Sequence, residues 1–304
     1  MRQNTNTALH TAAFLVVILC SVASAQDSSA ILGVLEDNPG HSAGDPHYRS
    51  VRVVFYKQRE KWEAFPSNCP NQECLKSILA KYPKDMAWTV AFDGKILGSL
   101  ESRAPKEFDF YSTVGQQTIT SNAKVPTVGE PSESFAGFLG VPVYRPLIAN
   151  SQPFYADPER WKRAESPADI LSRVRHRFRE KFRKVSNCAN PETNVEQPWQ
   201  YEDGNIKVLS SYSSVKGWWV VQVELDPYRC DGPSDVAFVD QWFVISPNST
   251  VRFLGSAMWL VDAGDYDNDG RSEIVFSIND YNRGGYKLFY DDFSKSATFE
   301  FGYH

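Results

Sequence analysis

The chain has 304 residues, 42% of them hydrophobic and 13% aromatic, enough for one large or two ordinary domains with a substantial core. Its 32 basic and 37 acidic side chains leave a formal net charge of −5. That balance argues against nucleic acid as a main partner, because phosphate binding needs clustered positive charge.

Eight Trp with 18 Gly and 18 Pro suit many short strands joined by tight turns. The expected fold is therefore mainly β with one long helix, either β-propeller-like or built of stacked antiparallel sheets. Residues 1–25 read as a secretory signal: Arg2, an apolar run from Ala12 to Cys20, then Ala23-Ser-Ala25 before Gln26. The run falls well short of the roughly 20 apolar residues a spanning helix needs. No later stretch is longer, so the product is expected outside the cytoplasm, secreted or periplasmic, with no integral membrane segment.

Residues 26–155 form an N-terminal β-rich region. Its first part, 26–48, is polar and turn-rich and is expected to be an irregular lead-in, with His41, Asp45 and His47 as a surface group. Val51–Tyr56 and Trp62–Phe65 flank a charged turn, a hairpin pattern. Glu73–Lys81 is a short helix candidate stopped by Pro83. Trp88–Phe92 and Lys95–Ser99 surround Asp93-Gly94, a two-residue hairpin signal.

Cys69, Cys74, Cys188 and Cys230 follow the signal, and an even number in an exported chain favours disulfides. Three pairings exist in principle. Pro70 and Asn71 favour a turn that makes Cys69–Cys74 natural, leaving Cys188 with Cys230. On chain-entropy grounds the long bridge contributes ~4 kcal/mol and the short one ~2.

In the segment 156–190 one long helix is expected from Ser166 to about Lys184, with Ser166 as its cap and Pro167 at its first position. Ile170, Leu171, Val174, Phe178, Phe182 and Val185 recur at helical spacing, and the rest of its surface is strongly basic. Such a face suits anionic surfaces or acidic partners, but more often it is a solvated side of a packed helix. From 191 to 304 the pattern is strand after strand: Ile206–Ser211, Trp218–Leu225, Val236–Ser246, Val251–Leu260, Ile274–Ile278 and Tyr286–Tyr290. Trp88, Trp218 and Trp242 sit inside strand patterns and are expected in cores. An echo links Trp88…Lys95-Ile-Leu-Gly-Ser99 to Trp242…Arg252-Phe-Leu-Gly-Ser256.

The sharpest feature is Asp265-Tyr-Asp-Asn-Asp-Gly-Arg-Ser-Glu273, followed at once by Ile274-Val-Phe-Ser. Asp265, Asp267, Asp269 and Glu273 stand at loop positions 1, 3, 5 and 9, where side-chain oxygens can converge on one ion. The carbonyl of Arg271 at position 7 can fill another corner, and Gly270 permits the sharp bend. A hard, flexible, all-oxygen set favours Ca²⁺ over Mg²⁺, and the lack of thiolate or imidazole disfavours softer metals. An EF-hand needs an acid at position 12, which here is Phe276. Without a metal, four close carboxylates with no basic partner except Arg271 would repel one another.

The Asp-x-Asp-x-Asp-Gly-x-x-acid pattern running into a strand resembles the FG-GAP/VCBS repeats of integrin-type β-propellers. The resemblance spans Val261 to Tyr290 and occurs once in this chain. It implies that the loop joins two strands of a blade, and that Asp265, Asp267, Asp269, Arg271 (through its carbonyl) and Glu273 are calcium ligands.

Neither Gly-x-Ser-x-Gly nor His-Glu-x-x-His occurs, which speaks against a catalytic role. The expected function is a secreted binding or structural module for a protein or carbohydrate ligand, with calcium stiffening a β hairpin. The alternative is an exported, polysaccharide-directed hydrolase in which calcium is a structural ion.

Overall fold

The computed structural model describes residues 30–39, 47–68, 71–106, 113–135, 141–153, 156–188, 195–230, 240–280 and 282–302. The expected signal peptide, His41, Asp45, Cys69 with its bridge to Cys74, and the first residues of the expected strand at 236 lie outside these.

Strand β1 (Ile31–Asn38) pairs on one side with β2 (Tyr48–Gln58) and on the other with β7 (Leu147–Asn150). β7 continues to β4 (Asp85–Phe92), β5 (Lys95–Arg103) and β6 (Gln116–Ile119), and β6 returns to β2. The order β1-β7-β4-β5-β6-β2 thus closes into a six-stranded antiparallel barrel, with β3 (Lys61–Ala64) hanging on β2. The β4–β5 turn places both Asp93 and Gly94 at positive φ (50° and 71°), the backbone that a two-residue I′ hairpin demands.

β1 overturns the expectation of an irregular lead-in. Leu32 to Leu35 are all buried, because the strand is covered on both sides. A strand of that kind shows a short continuous apolar run instead of alternation, so its pattern carries little period-2 signal. Helix α1 (Gln72–Leu79) starts one residue before the expectation; the Asn71 side chain caps it by accepting from the Cys74 amide at 2.9 Å.

Two further sheets follow. β8 (Lys162–Arg163), β11 (Ile206–Ser213), β12 (Trp219–Leu225), β13 (Gln241–Ile245) and β14 (Val251–Gly255) pair in the order β14-β13-β12-β11-β8. β15 (Met258–Gly264), β16 (Glu273–Asp280), β17 (Arg283–Tyr290) and β18 (Lys295–Gly302) form a four-stranded meander. The expected single strand 251–260 is therefore two strands in different sheets. The chain switches layers at Ala257, whose φ of 53° turns it out of extended backbone. The sheets are stacked and antiparallel, and no propeller forms among the described residues.

The C-terminal sheet is the middle layer. Val261, Val275, Tyr286, Leu288 and Phe299 join the apolar cluster that holds the barrel's buried residues, whereas Ile274, Phe276 and Phe289 pack with Val220, Trp242 and Val244 of the five-stranded sheet. The far face of that sheet (Val221, Val223, Phe243, Ile245) receives helix α2 (Ala168–Lys181) through Ile170, Val174 and Phe178. The helix begins later than expected: Pro167, with an extended ψ of 155°, is the cap residue, and no side chain caps the helix. Beyond its end, Val185 belongs to β9 (Val185–Cys188), which pairs with β10 (Glu196–Trp199).

The Cys188–Cys230 disulfide forms as expected, and it fits an oxidising compartment such as the periplasm or the exterior. No helix among the described residues is long and apolar enough to cross a membrane. Trp88 and Trp242 are core residues, donating their indole N–H to Ser102 and to the Met258 carbonyl, each at 2.7 Å. Trp218 is half-buried against Phe293. The sequence echo marks two antiparallel hairpins of different register, since Trp88 faces Leu100 whereas Trp242 faces Gly255.

Asp240, at the entry to β13, sits at φ 54° and accepts from Gln222 Nε2 at 2.5 Å. Burial, with Glu224 nearby, pushes its pKa up to about 6. A carboxyl with a raised folded pKa lends stability below its unfolded value, and that contribution is lost as pH rises through about 6. Asp240→Asn keeps the acceptor, removes the buried charge and suits positive φ. It is expected to raise stability by ~1–2 kcal/mol at pH ~7.5, after discounting for partial solvent access, and by almost nothing below pH ~4. Calorimetric melts across that range check this.

Candidate metal centre

The acidic loop is the β15–β16 connection. Its entry is set by the hairpin: Gly264 pairs with Glu273, so the loop's two ends are neighbours across the ladder. Asn268 (φ 60°) and Gly270 (φ 84°) both take left-handed backbone, which folds the chain back over the first aspartate. Asp265 then accepts from the amides of Asp269 (3.0 Å) and Gly270 (2.8 Å), and Asp267 from that of Asp269 (3.2 Å).

The structure brings Asp265, Asp267 and Asp269 together, with a carboxylate oxygen of each within 4.8 Å of the others. Their exposure grades outward from buried Asp265 to exposed Asp269. Glu273 lies beside this group. It is buried, and its Oε2 accepts from the Tyr266 amide at 2.8 Å. Burial, followed by repulsion from Asp267, holds the Glu273 carboxyl well above the usual carboxylate range. Burial likewise raises Asp265, and the Gly270 and Asp269 amides oppose that rise. Arg271, expected to present its carbonyl, engages the loop through its guanidinium, which bonds Asp269 Oδ2 (2.8 Å) and Asp291 Oδ1 (2.5 Å).

One expectation needs correction: Arg271 is not the sole basic neighbour. Lys57, at the end of β2, places its ammonium on Asp267 Oδ2, with side-chain exposures of 14% and 5%. The rings of Trp62 and Tyr290 lie 5.6 and 5.8 Å from that nitrogen. Lys57 and Asp267 are 210 positions apart, and nothing local in either segment signals the pairing.

Other barrel-side groups fasten the loop and its flanks. Asn150 donates to the Tyr266 carbonyl at 2.9 Å, Arg145 to the Val261 carbonyl at 3.1 Å, and the Asp93 amide to Asp262 at 3.2 Å. At the loop's exit Ser272 donates to Asp157 at 2.6 Å. His47, the described member of the expected surface histidine group, pairs with Asp37 at 3.2 Å, away from this centre.

The donor chemistry fits a hard cation: three convergent carboxylates, a fourth close by, and neither thiolate nor imidazole among them. A bound divalent ion would offset the repulsion that adds to burial in lifting Glu273 and Asp265. No family profile, curated protein or solved structure matches the chain.

Because Lys57 is the counter-charge for a nearly buried Asp267, Lys57→Met should leave an uncompensated carboxylate while keeping the packing on Trp62 and Tyr290. Stability in chelator is expected to fall by ~2–4 kcal/mol, read from urea unfolding, and Lys57→Arg should retain most of it.

Proposed function

We propose that the chain is a secreted calcium-binding β module, non-catalytic, whose ion clamps the β15–β16 hairpin against the barrel and so fixes a recognition surface for a protein or carbohydrate ligand. The observation that carries this reading is the convergence of Asp265, Asp267 and Asp269 at a hairpin that Asn150 and Lys57 already tie to the barrel. In this reading Glu273 completes the ligand set with the Arg271 carbonyl, as the resemblance to FG-GAP/VCBS repeats implies. The four-stranded meander that holds the loop has the strand count of one propeller blade, which supports kinship with a single repeat. The calcium would be structural, neutralising charge at a junction between layers. Export follows from the N-terminal pattern and agrees with the Cys188–Cys230 disulfide.

The hydrolase alternative draws on Asp240 and Glu224, two neighbouring carboxyls that burial holds above their ordinary range. Asp240 is already engaged by Gln222, which suits a structural role better.

With Ca²⁺ at about a hundred times its dissociation constant, the stability gain is ~2.7 kcal/mol, so the melting temperature should rise by ~5–10 °C over chelator. Asp265→Asn should remove most of that rise. Identical melting curves with calcium and with chelator would refute the reading. An equal response to Mg²⁺ would refute the choice of ion.

A further inference from the structure

Although the chain is acidic overall, seven Arg and Lys side chains fall between residues 173 and 184, with Glu180 as the one acid among them. The apolar stripe of α2 is already spent on the five-stranded sheet. The helix therefore has no greasy face to sink into a bilayer, and what it turns outward is charge. Beside it lies an open groove of about 500 Å³, bounded by Arg173, His176, Arg177 and Glu180 and, from the β13–β14 hairpin, by Ser249 and Val251.

The charges in that groove do not cancel. The two oxygens of Glu180 are shared between His176 (3.3 Å) and Arg177 (3.1 Å). Arg179 is paired with Asp203. Arg173 has no ion-pair partner among the described residues. Two guanidinia one helical turn apart, 173 and 177, thus face a concavity with surplus positive charge and hydroxyls at its rim (Ser172 and Ser249).

We propose that this groove binds an acidic polysaccharide, with its carboxylate or sulfate groups held by Arg173 and Arg177. Guanidinium forks match such oxyanions bidentately. The serine hydroxyls suit a ligand that carries hydroxyls beside its charges, and Val251 offers an apolar edge for a sugar ring. A concave site also favours a chain that can lie in it over a flat charged membrane, which needs no groove. The inference deepens the module reading by naming the ligand class, yet it stands on α2 and not on the acidic loop. It can therefore fail while calcium binding survives, and the reverse.

Isothermal titration of the full mature chain with oligogalacturonate, dextran sulfate fragments, neutral dextran and inorganic sulfate tests it. Both acidic glycans should bind, and binding should weaken between about 50 and 200 mM salt. The Arg173→Ala/Arg177→Ala variant should bind at least ~10-fold more weakly with an unchanged melting temperature. Arg103→Ala, an exposed cation on the barrel, should bind like the parent chain. The proposal is overturned if neither acidic glycan binds, if the double variant binds equally well, or if neutral dextran or sulfate alone binds as tightly. Tighter binding of phosphatidylserine vesicles or polyglutamate through the same arginines would overturn it too.

Discussion

The four-stranded C-terminal sheet is buried on both faces, and the remaining layers depend on it. Along β16 the alternation Ile274, Val275, Phe276 sends successive side chains into two different cores. The barrel alone would expose the outer faces of β1 and β2, and the five-stranded sheet would expose Trp242 and Val244. Fully burying such side chains is worth ~1.5–3 kcal/mol each, so stacking stabilises all three bodies. Polar groups then set the register of that stack. Arg52 of the barrel is locked to Glu36 at 2.6 Å, and Tyr286 of the C-terminal sheet donates to the same carboxylate at 2.9 Å. A buried pair of this kind adds little net stability against an apolar substitute, but breaking it leaves a bare charge inside, which penalises any other docking of the sheet.

The acidic loop concentrates charge at the junction between the C-terminal sheet and the barrel. Its first aspartate is buried beside the barrel and its last is exposed, so charge repulsion works partly in a poor dielectric, where it is strongest. The protein compensates from outside the loop: Lys57 from the barrel, Arg271 shared with Asp291, and backbone amides on Asp265. Burial still holds Glu273 above the ordinary carboxylate range. Lys57 and Arg271 thus compensate the outer part of the loop, while its inner carboxyls, Asp265 and Glu273, stay raised by burial and by repulsion from their neighbours.

What the sequence made legible was local. The Asp265–Glu273 spacing, the Asp93-Gly94 turn and the stripe of Ile170, Val174 and Phe178 each declare themselves within a few residues, because hairpin and helix geometry is set by neighbours. β1 was illegible because double burial erased its alternation. β18 was not: Ala297, Phe299 and Phe301 alternate with polar residues in the usual half-buried pattern, and a strand could have been read there. The closure of the barrel and the Lys57–Asp267 pair were out of reach, since both join segments far apart in the chain. The switch of layers at Ala257 was hidden inside the single strand read at 251–260, whose pattern says that the segment is extended but not that it serves two sheets.

The basic helix illustrates how packing frees a surface for function. On α2, Arg173–Arg177, Arg175–Arg179 and Arg177–Lys181 are like charges four residues apart, each pair costing ~0.2–0.5 kcal/mol. Glu180 and Asp203 relieve part of this. The residual cost of about 1 kcal/mol is small beside the burial of Ile170, Val174 and Phe178, at ~1.5–3 kcal/mol each. The inward stripe therefore holds the helix, and its outward face is under little pressure from stability. Neutral or alternating side chains would have served the fold equally well on that face. The arginines of that face add little to the core, and the positive potential left after the pairs with Glu180 and Asp203 is available to something negative outside the protein.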